Sequence, residues 1–334
     1  MRLGNLYGPD STFLGIPRAD LDDPTSYEGA GAVVIGAPFD GGTSYRPGCR
    51  FGPQAIRGTD YLPHDGRRPH LALDVDPLNE LGVVDAGDVE MPSGETELSL
   101  GRLEDAVLRI VRSGAVPVVL GGDHTIALPD VTALARHVGW GRVSVVHFDA
   151  HADTGDTQFG LLYGHGTPMR RLIESGATRG DRFLQIGLRG YWPEPETLAF
   201  MSEAGMRSYE MTEVVARGLD NCLSEAFEIA TRDCDSVFLS VDVDVVDPGA
   251  APGTGTPEPG GLSPRELLYA VRRVMMELPV GGVDVVEVAP PFDHADVTAF
   301  LANRIVLEAL SGLAWRRRID QGEAARRPET PLLV

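Results

Sequence analysis

Six short apolar runs punctuate the chain, each closed by Gly, Pro or Asp: AVVIGAP (32–38), AVPVVLGG (115–122), RVSVVHFD (142–149), RFLQIGLRG (182–190), SVFLSVDVD (236–244) and GVDVVEVAP (282–290). Runs of this length without polar alternation predict strands buried on both faces. Between and after them lie stretches with helical spacing, at 97–112, 125–138, 196–204, 220–232, 263–277 and 296–317. The 263 stretch opens SPRE, in which Ser263 can cap, Pro264 suits the first helical position and Glu266 can close a capping box. Strand alternating with helix demands right-handed crossovers, so the pattern predicts an α/β protein, a three-layer α/β/α fold around a central, mostly parallel sheet. No repeat or low-complexity linker divides the chain. The reading is therefore one domain over 29–318, a surface-wrapping N-terminal extension over 1–28 and a mobile C-terminal tail over 319–334.

Ligands of open parallel sheets bind beyond the carboxyl ends of the strands, which directs attention to the polar residues that close these runs. VVLGGDH offers Asp123 and His124; VVHFDAHAD offers Asp149, His151 and Asp153; FLSVDVDVVDP offers Asp242, Asp244 and Asp247. Read as extended strand, the period of two puts Asp149, His151 and Asp153 on one face and aligns Asp242 with Asp244, while Asp247 before Pro248 reads as a turn. Clustered carboxylates beside a core need a cation. Two histidines and four carboxylates (His124, His151, Asp149, Asp153, Asp242 and Asp244), with no thiolate, suit a hard ion such as Mn²⁺ better than a structural Zn²⁺. Six ligands are too many for one catalytic ion with an open position and enough for two if carboxylates bridge.

Two further residues invite a role. Glu287 ends the run VDVVEVAP, where a carboxylate facing metals could hold a planar cation bidentately. His165 sits between glycines in LYGHG, an exposed, hinge-like setting from which an imidazole can reach a ligand. His64, His70 and His137 lie in polar surroundings, His147 is expected to point into packed strand, and His294 is left open.

Composition narrows the chemistry. A formal charge of −20 opposes binding to a nucleic-acid backbone and favours small cations near acidic clefts. All 29 basic residues are Arg; without Lys there is neither a lysine Schiff base nor a GxxxxGK[ST] phosphate loop. Three cysteines without CxxC spacing argue against a disulfide framework. The N-terminus shows no signal-like apolar core and no run approaches the ~20 apolar residues of a membrane span, so a cytoplasmic protein without a membrane partner is expected.

Taken together and in order, GGDH, FDAHAD, SVDVDVVDP, PGTGTPEPGG and DVVEVAPPFD, with GAPFDGGTSYRPGCRFGPQAIR upstream, resemble the ureohydrolases of the arginase/agmatinase family over about residues 30–315. The likeness is to the agmatinase-like branch that includes guanidinobutyrase and proclavaminate amidinohydrolase. It implies two Mn²⁺ per chain, one held by His124, Asp149, Asp153 and Asp242, the other by Asp149, His151, Asp242 and Asp244, so that Asp149 and Asp242 bridge. It further implies that Glu287, oriented by Thr256, binds the guanidinium; that Asp153 and His165 help move a proton; and that the chain forms a homo-oligomer, a trimer or hexamer. The implied reaction is hydrolysis of a guanidino compound to urea and an amine. Asp153 is followed by TGDTQFG, lacking the Asn with which arginases grip an amino-acid head, which disfavours L-arginine. Agmatine is the expected substrate, with 4-guanidinobutyrate or a proclavaminate-type guanidino acid as alternatives. Asp156 is the candidate for a cationic tail, Arg46 or Arg189 for an anionic one. A zinc deacetylase-like amidohydrolase, a remote rival, is disfavoured by the six-ligand set and Glu287.

Overall fold

Each apolar run alternates its side chains between two cores. Val34 faces one and Val33 and Ile35 the other; Val146 and Phe148 are likewise opposed to Val143 and Val145. Both faces of the strands are thus dry, which is why the runs read as continuously apolar. In the computed structural model, which describes residues 11–330, these runs form a single eight-stranded sheet. Its strands are β1 (Ala32–Ala37), β2 (Val84–Asp88), β3 (Val116–Gly121), β4 (Val143–Phe148), β5 (Thr178–Ile186), β6 (Arg207–Tyr209), β7 (Ser236–Asp242) and β8 (Val280–Val286). The order is β2-β1-β3-β8-β7-β4-β5-β6, and every neighbouring pair is parallel. The four central strands, β3, β8, β7 and β4, are those whose ends carry the candidate ligands.

The helices are α1 (Gly52–Gly58), α2 (Pro77–Glu80), α3 (Thr96–Arg112), α4 (Ala127–Val138), α5 (Pro168–Ser175), α6 (Pro195–Glu203), α7 (Met211–Arg217), α8 (Leu219–Ala230), α9 (Pro264–Glu277) and α10 (Val297–Asp320). Apolar residues of α3, α4 and α5 fill one core, and those of α8, α9 and α10 the other, giving the three layers. The expected capping box starts α9: Ser263 Oγ accepts from Glu266 N–H, and Glu266 Oε2 accepts from Ser263 N–H at 2.8 Å. By length and composition α10 is apolar enough to cross a membrane, but its apolar side chains lie in the core and it packs on α9.

The sequence pattern missed both edge strands. β6 has three residues, and β2 reads VDAGD, two acids in five positions. Its acids are neutralised from a distance: Arg57 of α1, fully buried, places Nε 2.8 Å from Asp85 Oδ2 and also pairs with Asp88. Burial lowers the pKa of a guanidinium, yet Asp85 and Asp88 outweigh that and raise it. Asp85 also accepts Phe13 N–H at 2.7 Å, which ties the N-terminal segment to the sheet edge while Phe13, Leu14 and Ile16 enter the core. Beyond α10, Trp315 Nε1 donates to Arg326 O at 2.7 Å. The first ten residues of the expected extension and the last four of the expected tail lie outside the described residues.

Candidate metal centre

The candidate ligands do converge, but not through strand periodicity. β4 ends at Phe148, and Asp149, His151 and Asp153 follow in a loop; Asp149 Oδ1 accepts His151 N–H at 2.6 Å, and Asp153 adopts the left-handed region at φ 53°. Likewise Asp242 ends β7 and caps a single 3₁₀ turn, its Oδ1 taking Asp244 N–H at 2.8 Å. The expectation of one extended face is corrected in both places: side chain to backbone turns, not the pleat, aim these carboxylates. Asp153, like Glu287 at φ 65°, is a non-glycine residue in a costly conformation, a strain that concentrates at functional sites.

His124 Nδ1 lies 3.0 Å from Asp149 Oδ2, 3.1 Å from Asp153 Oδ2 and 3.2 Å from Asp242 Oδ2. Those four atoms surround one point. His151 Nδ1 lies 3.0 Å from Asp244 Oδ2 and 3.5 Å from Asp149 Oδ1, defining a second point beside the first. Asp149 and Asp242 both turn Oδ2 to the first group, and the Oδ1 of each accepts the amide two residues on; Asp149 Oδ1 also faces His151 of the second group. Of the eight strand-end candidates, Asp123 and Asp247 take no part. Asp123 accepts from Gly42 and Thr125 N–H groups, and Asp247 from Gly249 and Gly260, so both hold loops.

The electrostatics describe a site built around positive charge. Burial would lower the pKa of His124, but Asp149, Asp153 and Asp242 raise it far above the usual range; Asp244 and Asp149 do the same to His151. Burial, reinforced by Asp244 and Asp149, pushes Asp242 well up. For Asp149 the penalty of burial is outweighed by His147 and His124, and its pKa falls. Protons on imidazoles are standing in for cations here. Two hard ions would satisfy the same six oxygen- and nitrogen-bearing groups without leaving acids protonated, so the residues fit a binuclear metal site.

Glu287 sits beside the metal cluster, completely buried. Its Oε1 accepts His124 N–H at 2.8 Å and faces His165 Nδ1 at 2.8 Å; its Oε2 accepts from Cys49 Sγ at 3.2 Å. Burial would raise its pKa, but His165 together with these donors lowers it. His165 in turn is lowered by burial and raised more strongly by Glu287, to about 9. Thr256 was expected to orient Glu287; its hydroxyl instead points to Asp244 Oδ2 at 3.5 Å, and Cys49 occupies the orienting position. Nor is His165 an exposed hinge. It is buried, with Ser44 Oγ 2.6 Å from Nε2 and its own backbone N–H bonded to Gly42 O at 3.0 Å, because Gln158 staples the Gly42 and Gly166 loops together.

Sequence reasoning missed a layer two residues below the ligands. In register across five strands lie Ser208, Gln185, His147, Ser240 and Asp284, all on the face covered by α4. Ser208 Oγ donates to Gln185 Oε1 at 2.8 Å, and the Gln185 amide donates to Ala152 O at 2.7 Å and to His147 Nδ1 at 3.2 Å. His147 Nε2–H therefore points at Asp149 Oδ2, 2.9 Å away, so His147 steadies a ligand. On the other side Ser240 Oγ lies 2.8 Å from His124 Nε2 and donates to Asp284 Oδ1 at 2.7 Å. The pattern was legible only as polar interruptions, His147, Ser240 and Asp284, at matching places in otherwise apolar runs.

A cavity of about 570 Å³ opens over this cluster, with His151, Asp153, Asp242, His165 and Thr256 at its floor and Phe159, Trp192 and Glu194 nearer its mouth. A parallel sheet bearing paired His/Asp groups beside a buried carboxylate offers groups that could hold metal ions next to a seat for a cation. The chain belongs to the arginase family, whose model matches residues 30–312, and it is a ureohydrolase. It is 39% identical over 304 residues to guanidinopropionase of Pseudomonas aeruginosa, covering 91% of each chain. It is also 39% identical over 286 residues to mitochondrial agmatinase of Gallus gallus, covering 86% of this chain and 82% of the relative. The solved structure of proclavaminate amidinohydrolase from Streptomyces clavuligerus superposes with a TM-score of 0.83 at 36% identity, over 93% of this chain and 99% of the other.

Proposed function

We propose that this ureohydrolase cleaves agmatine to urea and putrescine, using two Mn²⁺ held by His124, Asp149, Asp153 and Asp242 and by Asp149, His151, Asp242 and Asp244. A pair of divalent ions, when bound, supplies a water acidic enough to attack at neutral pH. The chain's own residues do the rest. Glu287 receives the guanidinium, which competes with His165 for Oε1. As substrate takes up that negative charge, the imidazole loses what holds it near 9 and moves toward the range suited to proton transfer to the leaving amine. We place the enzyme in the cytoplasm as a homo-oligomer.

One observation carries the choice of tail. The names of the relatives span amine and carboxylate tails, but no arginine lines this cavity. Arg46 is committed to Thr254 O and Gly255 O and stacks on Phe292. Arg189 is enclosed by the carbonyls of Gly187, Asp244, Val245, Glu258 and Pro259. Asp156, the candidate for a cationic tail, lies outside the cavity lining and pairs with Arg170 and Arg171. Among the lining residues other than the proposed metal ligands and His165, the charged group is Glu194, a carboxylate whose sign suits a terminal amine. Urea release from agmatine should exceed that from 4-guanidinobutyrate, and Glu194→Gln should lower kcat/KM for agmatine about two- to fivefold, the range of a solvated ion pair. A parent enzyme that prefers 4-guanidinobutyrate would overturn the assignment.

A further inference from the structure

Beneath the first metal group the described residues contain two buried acids with no cation between them. Asp284 of β8 and Asp130 of α4 are both fully buried, and neither Asp130 oxygen nor Asp284 Oδ2 has a hydrogen-bond partner. Burial and their mutual repulsion push Asp130 far up, and burial raises Asp284 as well. The remaining oxygen, Asp284 Oδ1, is the acceptor for Ser240 Oγ–H at 2.7 Å, and Ser240 Oγ is 2.8 Å from His124 Nε2.

The direction of this chain of bonds has a chemical consequence. A serine hydroxyl has one proton. With that proton given to Asp284, Oγ can only accept, so Nε2 of His124 must carry hydrogen and Nδ1 must present its lone pair to the point shared with Asp149, Asp153 and Asp242. We propose that Asp284 is a positioning residue that acts through Ser240 to hold His124 in the tautomer and orientation that bind the first metal ion. The inference rests on the two-metal reading of the site. It assigns Asp284 a task that an apolar residue could not perform, and it explains why a carboxylate occupies a core position that would otherwise cost several kcal/mol.

The test is Mn²⁺ titration of the full-length, chelator-stripped protein by calorimetry, with circular dichroism to verify folding. Asp284→Ala should weaken one of two sites at least tenfold and leave the other within threefold. Asp284→Asn should stay within threefold of the parent at both, because its amide oxygen can still accept from Ser240 Oγ–H. Ser240→Ala should match Asp284→Ala, and the double variant should be no worse than either, as groups acting through one chain are not additive. Parent-like affinity in Asp284→Ala, or an Asp284→Asn as weak as the alanine, would overturn the proposal. If Asp284→Ala does not fold, parent-like binding by Ser240→Ala does the same. A parent that takes up no Mn²⁺ removes the two-metal reading itself.

Discussion

Replacing Glu287 with Gln isolates the coupling between the guanidinium-binding carboxylate and His165. The imidazole is raised from its ordinary 6.5 to about 9 because burial, which alone would lower it, is outweighed by Glu287 2.8 Å away. At 1.36 kcal/mol per pH unit the pair contributes about 3 kcal/mol to folding. The sign follows from proton counting. Below pH 6.5 both folded and unfolded chains hold the proton and the contribution is complete. Between 6.5 and about 9 only the folded chain holds it, so stability falls as pH rises, and above 9 the contribution is gone. Asp123, raised by burial and by Glu287 to about 6, adds its own pH dependence lower down, so the informative window starts at pH 7. In urea unfolding of metal-free protein, the stability of the parent relative to Glu287→Gln should decline by about 2 to 3 kcal/mol from pH 7 to 9.5. His124 and His151 also titrate in this state, but they are present in both proteins and cancel in the difference. A flat difference across the window would mean that Glu287 is not what holds the proton on His165, and the competition inferred for substrate entry would fall with it.

Asp149→Asn removes charge from a carboxylate that turns an oxygen to each metal group, so it should lower Mn²⁺ content at both sites and abolish urea release; metal analysis showing one full site would contradict this. Arg57→Met leaves Asp85 buried and unpaired and should destabilise the fold by about 3–5 kcal/mol, read as a shifted urea midpoint, while kcat of the surviving folded enzyme stays near that of the parent.

The parts of the molecule that could be read in advance are those where one local rule acts alone. Six apolar runs became six parallel strands, and SPRE opened α9 with the expected box, because dryness on both faces and a cap are properties of neighbouring residues. β2 escaped because its acids are compensated by Arg57, which is 28 positions away from Asp85 and invisible to any local pattern. The candidate ligands were legible as residue types at strand ends, yet the reason they converge was misread: Asp149 and Asp242 aim their neighbours through Asx-type turns that begin where the strands stop. Thr256 and Cys49 show the same limit at the level of one side chain. Which of two nearby donors meets Glu287 depends on how the loop around Gly48 packs, and Gly48 at φ 144° allows a path that spacing does not encode.

The four strands that supply the site are neighbours in space and strangers along the chain. β3, β8, β7 and β4 lie side by side, but the ribosome delivers them over more than 160 residues, and Glu287 last. An emerging chain that has already displayed His124 and the DAHAD loop has no complete pocket until β7 and then β8 slide between β3 and β4. On the two-metal reading, metal capture would be a late event, since the ligands meet only in a sheet that has been zipped through its centre. Once loaded, the ions tie together segments that were made far apart in time, so their release and the parting of the central strands should be a single kinetic step.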